Sequence, residues 1–141
     1  MGYDVKSKTI TLSTNGEIQI IDLSIELERF IRETGLIRGL VNLFVPGSTG
    51  AITTIEYEHG CVSDLKRLLR MIVPDKNNWQ HDQIDNNARA HLRASLIGPS
   101  LTVPVENGAP LLGTWQQPVF LELDVRPRHR RIIFTATGLF E

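Results

Sequence analysis

SLTVPV (100–105), ENG (106–108), VFLELDV (119–125) and RRIIFTATG (130–138) decide the fold. Three runs alternate apolar with polar or β-branched residues, and turn-forming residues separate them. Such spacing reads as strands folding back on one another. The start of the chain has the same character. SKTITLST (7–14) alternates, EIQIID (17–22) follows, and Asn15-Gly16 between them is the strongest short hairpin signal. A hairpin joining these two segments is expected.

Between the two strand-rich ends the period changes. Leu23, Leu27, Phe30 and Ile31 fall on one helical face, with Asp22 or Ser24 to cap the start and Gly35 to end it. GLVNLFVP (39–46) is nearly continuous and apolar, which predicts a central strand buried on both faces. AITTIEY (51–57) resumes strand character after the turn PGSTG. Val62, Leu65, Leu68, Leu69 and Ile72 form a second amphipathic helix stopped by Pro74. A polar stretch, PDKNNWQHDQIDNN (74–87), leads to a third helix starting near Asn86 or Asn87 and ending at Gly98-Pro99. About seven strands and about three helices, without regular βαβ alternation, make an α+β chain with mostly antiparallel sheet.

The 141 residues are one domain's worth, and no composition break divides residues 1–141. Fifteen Lys and Arg balance sixteen Asp and Glu, for a formal charge of -1. A nucleic-acid-coating protein needs a basic excess that is missing here. A single cysteine, Cys61, forms no internal disulfide and no multi-thiolate metal site. The N-terminal stretch has no apolar signal core, and no run is long enough to cross a membrane. A cytoplasmic protein is expected.

Several residues carry possible chemistry. His81, Asp85 and His91 supply two imidazoles and a carboxylate within eleven positions, enough for a metal site, with Asn87 one helical turn before His91. The same stretch also reads as an Asp/Asn-rich helix entry with surface histidines. Ser48 and Thr49, in a turn after a buried strand, can offer hydroxyls and backbone N–H groups to an anion, or form a plain turn. Glu56 and Glu122 lie on strands, where a carboxylate is paired, used or turned to solvent. Arg126, Arg128, Arg130 and Arg131 suit an anionic ligand or a subunit contact, or form a solvated hairpin tip. Trp115 and Gln116 can line a site for a planar ligand, or Trp115 packs in a core or interface.

VPGSTGAITTIEYEHG (45–60), the Asp85-x-Asn87-x-x-x-His91 arrangement, GPSLTVPV (98–105) with LGTWQQ (112–117), and RPRHRR (126–131) together closely resemble the YjbQ family, or UPF0047. The resemblance covers nearly the whole chain. It implies an antiparallel β-sandwich, a homotrimer, and in some members a secondary thiamine-phosphate synthase activity. That reaction joins a pyrimidine methyl diphosphate to a thiazole phosphate and releases pyrophosphate. The resemblance also implies a divalent metal on His81 and His91, with Asp85 and Glu56 as nearby carboxylates. Imidazole ligands favour zinc over magnesium. Many members carry a histidine where this chain has Gly47; if that histidine is a ligand in its branch, this chain has lost one, and Glu56 or Asp85 would have to fill in. The expected function is a metal-assisted enzyme on a small phosphorylated substrate, with Glu56 or Glu122 as catalytic base. The alternative is a non-catalytic trimer that binds a metal or an anionic metabolite. Ser48, Thr49, Asn87, Trp115, Gln116, Arg126, Arg128 and Arg130 are the expected substrate-binding residues.

Overall fold

A computed structural model describes all residues, 1–141. The strands are β1 (Gly2–Ser13), β2 (Gln19–Asp22), β3 (Leu36–Phe44), β4 (Gly50–Ile55), β5 (Ser100–Glu106), β6 (Ala109–Pro110), β7 (Gln117–Glu122) and β8 (His129–Phe140). The helices are α1 (Ser24–Thr34), α2 (His59–Ile72) and α3 (Ala88–Ile97), with a 3-10 turn over Gln80–Gln83. The chain is α+β, as its sequence predicts. The eighth strand is the two-residue β6, too short to leave an alternating signal.

Five strands form one sheet in the order β1-β8-β3-β5-β6, and three form another in the order β2-β7-β4. Every pairing is antiparallel. Phe120 of β7 belongs to the larger core, with Val41 and Leu43 of β3, Phe134 of β8 and Phe30 of α1. Its neighbours Val119, Leu121 and Leu123 face the opposite way, into a second core with Leu69 of α2 and Ala90 and Ala94 of α3. The period-2 alternation of VFLELDV thus supplies both cores. The small sheet is the middle layer, with the large sheet and α1 on one side and α2 and α3 on the other.

The Asn15-Gly16 hairpin does not form. β1 pairs with β8 and β2 pairs with β7, so the Asn-Gly turn carries the chain from one sheet to the other. Gly16 has φ +101, and a Cβ there would lie 3.2 Å from the backbone of Arg126. Long-range pairing overrides the local turn preference.

β3 is central but is not buried on both faces. Val41 and Leu43 are sealed in the core, whereas Leu40 is 45% and Phe44 39% exposed. α2 forms as predicted, yet only Leu69 is fully buried, and Leu68 and Ile72 face out. Gly39 and Gly138 sit opposite each other on β3 and β8. A Cβ on Gly39 would stand 2.1 Å from the Thr137 carbonyl oxygen, so the strands approach there only without side chains.

Candidate functional site

The end of β7 carries two carboxylates into the interior. Glu122 is 0% and Asp124 1% exposed, so Glu122 is paired inside the protein and not turned to solvent. Glu122 is held by Arg130, whose Nε reaches Oε1 at 2.8 Å and whose Nη2 reaches Oε2 at 2.6 Å. Thr14 Oγ1 donates to Oε1 at 2.7 Å, and the Asp124 N–H to Oε2 at 3.1 Å. Both oxygens are fully engaged, which makes Glu122 an anchor and leaves it no free lone pair for the expected role as base.

Arg130 is likewise no hairpin-tip residue, because the side chain is 4% exposed. The turn after β3 wraps around its guanidinium. Thr49 Oγ1 accepts from Nη2 at 2.8 Å. A Cβ on Gly47 would lie 3.2 Å from Nη1, and one on Gly50 would lie 2.8 Å from the Phe120 ring and 3.6 Å from Arg130 Cζ. Small residues in PGSTG therefore make room for a buried cation, and Gly47, at φ +119, also takes a backbone shape that a side chain disfavours.

Asp124 extends the network. Thr49 Oγ1 donates to its Oδ2 at 3.1 Å and Arg128 Nη1 at 2.9 Å. The Val125 N–H donates to Oδ1 at 2.7 Å and Asn87 Nδ2 at 3.3 Å. Burial pushes the Asp124 carboxyl up, but these hydrogen bonds and the Arg128 charge outweigh it and hold the group below the usual carboxylate range. Asn87, at the N-terminus of α3, passes the connection on, with Oδ1 3.0 Å from His81 Nε2. The rings of His81 and His91 meet edge to face with centroids 4.7 Å apart. Beside them lies a cleft of about 280 Å³ lined by Trp79, Gln80, His81, Ala88, His91 and Leu92.

The loop bearing His81 is pinned from behind. Arg93, fully buried on α3, donates to the Val73 carbonyl at 3.1 and 2.7 Å, to Glu17 at 3.1 Å and to Asp75 at 2.8 Å. Trp79 Nε1 donates to the Pro74 carbonyl at 3.1 Å. Sequence reasoning missed Arg93, Glu17, Trp79 and Asp124's place in the network. One usable signal existed: Ala90, Arg93 and Ala94 share a helical face, and two alanines on it mark that face as packed.

The metal expectation meets half of its donor set. His81 and His91 come together, but Asp85 turns away, accepting from the Asn86 N–H at 2.7 Å and from Arg126 Nη2 at 3.3 Å. Asp82 serves the start of α3, accepting from the Ala88 N–H at 3.0 Å. No group of three or more His, Cys, Asp or Glu side chains is arranged to hold a metal ion. Two imidazoles from one chain fall short of the three protein ligands of a catalytic zinc site.

The other expected site residues divide by location. Ser48, Thr49, Asn87, Arg126, Arg128 and Arg130 lie at the His81 end. Glu56, Trp115 and Gln116 lie at the other end of the small sheet. Gly50 pairs with Glu122 at one end of the β4–β7 ladder, and Ile55 pairs with Gln117 at the other. Five residue steps separate them, about 17 Å. Glu56 is one residue past the end of β4 and exposed, so of the readings open to it the one turned to solvent holds, although it is not itself on a strand. Trp115 is 73% exposed and packs in no core of this chain. Gln116 Nε2 reaches Thr54 Oγ1 at 3.3 Å.

The site thus defines a class: a two-sheet α+β protein with an ion-paired interior opening onto a histidine cleft. The UPF0047 protein YjbQ-like family profile matches residues 8–139. The chain belongs to this family, whose function is unknown. It is 41% identical to a UPF0047 protein of Archaeoglobus fulgidus over 127 residues, 90% of this chain and 98% of that one. It is 40% identical to another from Methanothermobacter thermautotrophicus, covering 96% of this chain and 94% of that one. The crystal structure of a YbjQ-like protein of unknown function from Sulfolobus solfataricus superposes with a TM-score of 0.94 at 30% identity, covering 98% of this chain and all of that one. An uncharacterised family member from Clostridium acetobutylicum gives 0.85 at 30% identity, covering 93% and 99%. No helix is long and apolar enough to cross a membrane.

Proposed function

We propose that this chain is an enzyme acting on a small phosphorylated metabolite at the His81–His91 cleft. The supporting observation is the imidazole pair, centroids 4.7 Å apart, joined through Asn87 to a carboxylate held ionised. Such a pair can take up and return a proton next to a bound substrate. Arg128 spends one nitrogen on Asp124 and is 44% exposed, and Arg126 is 52% exposed. Their remaining N–H groups are the donors for phosphate oxygens. Arg130 is committed to Glu122 and Thr49 and shapes the site from behind. The thiamine-phosphate synthase reaction is one chemistry of this kind, since its departing pyrophosphate needs cationic donors.

A second reading is a non-catalytic homotrimer that binds a metal or an anionic metabolite. The separation of Glu56, Trp115 and Gln116 from the histidine end favours it. A head-to-tail trimer would bring one copy's far end to its neighbour's cleft. In this reading a divalent ion, zinc before magnesium, would take its other ligands from outside the chain.

The test combines elemental analysis of untagged protein with calorimetric titration of pyrophosphate and assay of a panel of phosphorylated metabolites. Wild type, His81→Gln and His91→Ala are compared at equal folding. Turnover in wild type, lost in both variants without bound metal, supports the first reading. Stoichiometric metal lost in His91→Ala, with no turnover, supports the second. Neither metal, binding nor turnover in wild type overturns both.

A further inference from the structure

Asp124, Asn87 and His81 form a hydrogen-bonded file with a fixed polarity. The carboxylate of Asp124 only accepts. The amide of Asn87 must therefore present its NH2 group to Asp124, because the flipped amide would set a carbonyl oxygen against a carboxylate. The Nδ2 to Oδ1 distance is 3.3 Å. Thr49 supports this arrangement from the other side. Its hydroxyl oxygen accepts from Arg130 Nη2 at 2.8 Å, which directs its proton to Asp124 at 3.1 Å. With the NH2 group committed, Asn87 Oδ1 remains as an acceptor 3.0 Å from His81 Nε2. A nitrogen facing an acceptor at that distance carries a hydrogen.

We infer that Asp124, acting through Asn87, holds His81 as the Nε2–H tautomer and leaves its Nδ1 lone pair free. Asp124 and Asn87 are positioning residues, and neither need touch a substrate. The same logic orients histidines elsewhere, where the bond made by one ring nitrogen sets the role of the other. The consequence for the ligand rests on the proposed function. Whatever meets Nδ1 is a hydrogen-bond donor or a Lewis acid. A bare phosphate oxygen is directed to Arg126 and Arg128, and the proton-bearing part of the substrate to His81.

The tautomer is directly observable. Protein stripped of metal by chelation and labelled with nitrogen-15 is studied by two-bond proton–nitrogen correlation at about pH 8, above the ordinary histidine range. His81→Gln assigns the His81 signals, and exposed His59 is the internal reference for an unrestrained ring. The expected result is a single Nε2–H pattern for His81, with Nδ1 at the lone-pair position. In Asp124→Asn the amide of Asn87 is free to flip, and His81 should move toward the mixture shown by His59. An Nδ1–H pattern in wild type, or averaging like that of His59, overturns the inference. So does a folded Asp124→Asn protein with the wild-type pattern. If Asp124→Asn does not fold, the wild-type spectrum decides. Failure of pyrophosphate to bind, with His81 in the Nε2–H form, counts against the proposed function and not against this inference.

Discussion

Arg130 meets Glu122 edge to edge inside the protein, with Nε–Oε1 at 2.8 Å and Nη2–Oε2 at 2.6 Å and the side chains 4% and 0% exposed. The pair joins β8 to β7 beneath the candidate site, and the turn containing Thr49 closes over it. Arg130→Met should leave a buried carboxylate without its partner and cost about 3–5 kcal/mol. Arg130→Met combined with Glu122→Leu should recover much of that loss, because neither buried charge then remains. Urea unfolding of the two single variants and the double variant checks both statements. Strictly additive losses would show that the pair is not coupled.

The crossing of β3 and β8 makes a second demand. Gly39→Ala would press a methyl carbon to within 2.1 Å of the Thr137 carbonyl oxygen, which backbone cannot accommodate without moving. A loss on the order of 3 kcal/mol or more is expected, visible as a lower unfolding midpoint or as insoluble protein. Gly2→Ala is the control, since nothing lies within 4 Å of its Cβ position.

Acid should weaken the fold through two carboxylates. At Asp75, the hydrogen bond from Arg93 holds the carboxyl below its usual range against the opposing effect of burial. At Asp124, burial raises the carboxyl, and hydrogen bonds from Val125, Asn87 and Thr49, with the Arg128 charge, lower it further than that. A depressed folded-state pKa gives stability that is complete above the unfolded value near 4 and lost as pH falls through the folded value. Urea midpoints should therefore be level from neutrality to about pH 5 and fall below about pH 4. Asp124→Asn should flatten the acid limb. A variant with an unchanged acid limb would remove Asp124 from this account.

Glu56 and His81 should separate in a binding experiment. Glu56→Gln alters an exposed residue past the end of β4, so stability should change by less than about 0.5 kcal/mol. Pyrophosphate binding at the His81 cleft should also persist in Glu56→Gln if each chain carries a complete site. Loss of binding in a folded Glu56→Gln protein would show that the far end of one copy completes its neighbour's site. Sedimentation of the same samples gives the oligomeric state.

Much of the fold was legible because burial leaves periodic marks. VFLELDV announced a strand with two different faces, and the α3 boundaries fall at the asparagine and glycine that marked them, although the Asn87 side chain caps nothing and Asp82 accepts from the Ala88 N–H in its place. The Asn15-Gly16 turn misled because its residues specify a local bend and carry no information about which strand lies beside which. Arg130 misled for a related reason. An arginine in RPRHRR has the same letters whether it faces water or a buried glutamate eight residues earlier.

The amino-acid order by itself determined the class of fold, the number and character of the main elements, and the family. Each follows from local propensity, from the spacing of apolar residues, or from motifs kept in order along the chain. The tertiary structure alone decided which charges are buried and which polar atoms meet. Thr14 and Glu122 are 108 residues apart, and Thr49 and Arg130 are 81 apart, yet both pairs are in hydrogen-bond contact. Those meetings depend on how two sheets stack, a long-range outcome of packing that no local stretch of sequence encodes.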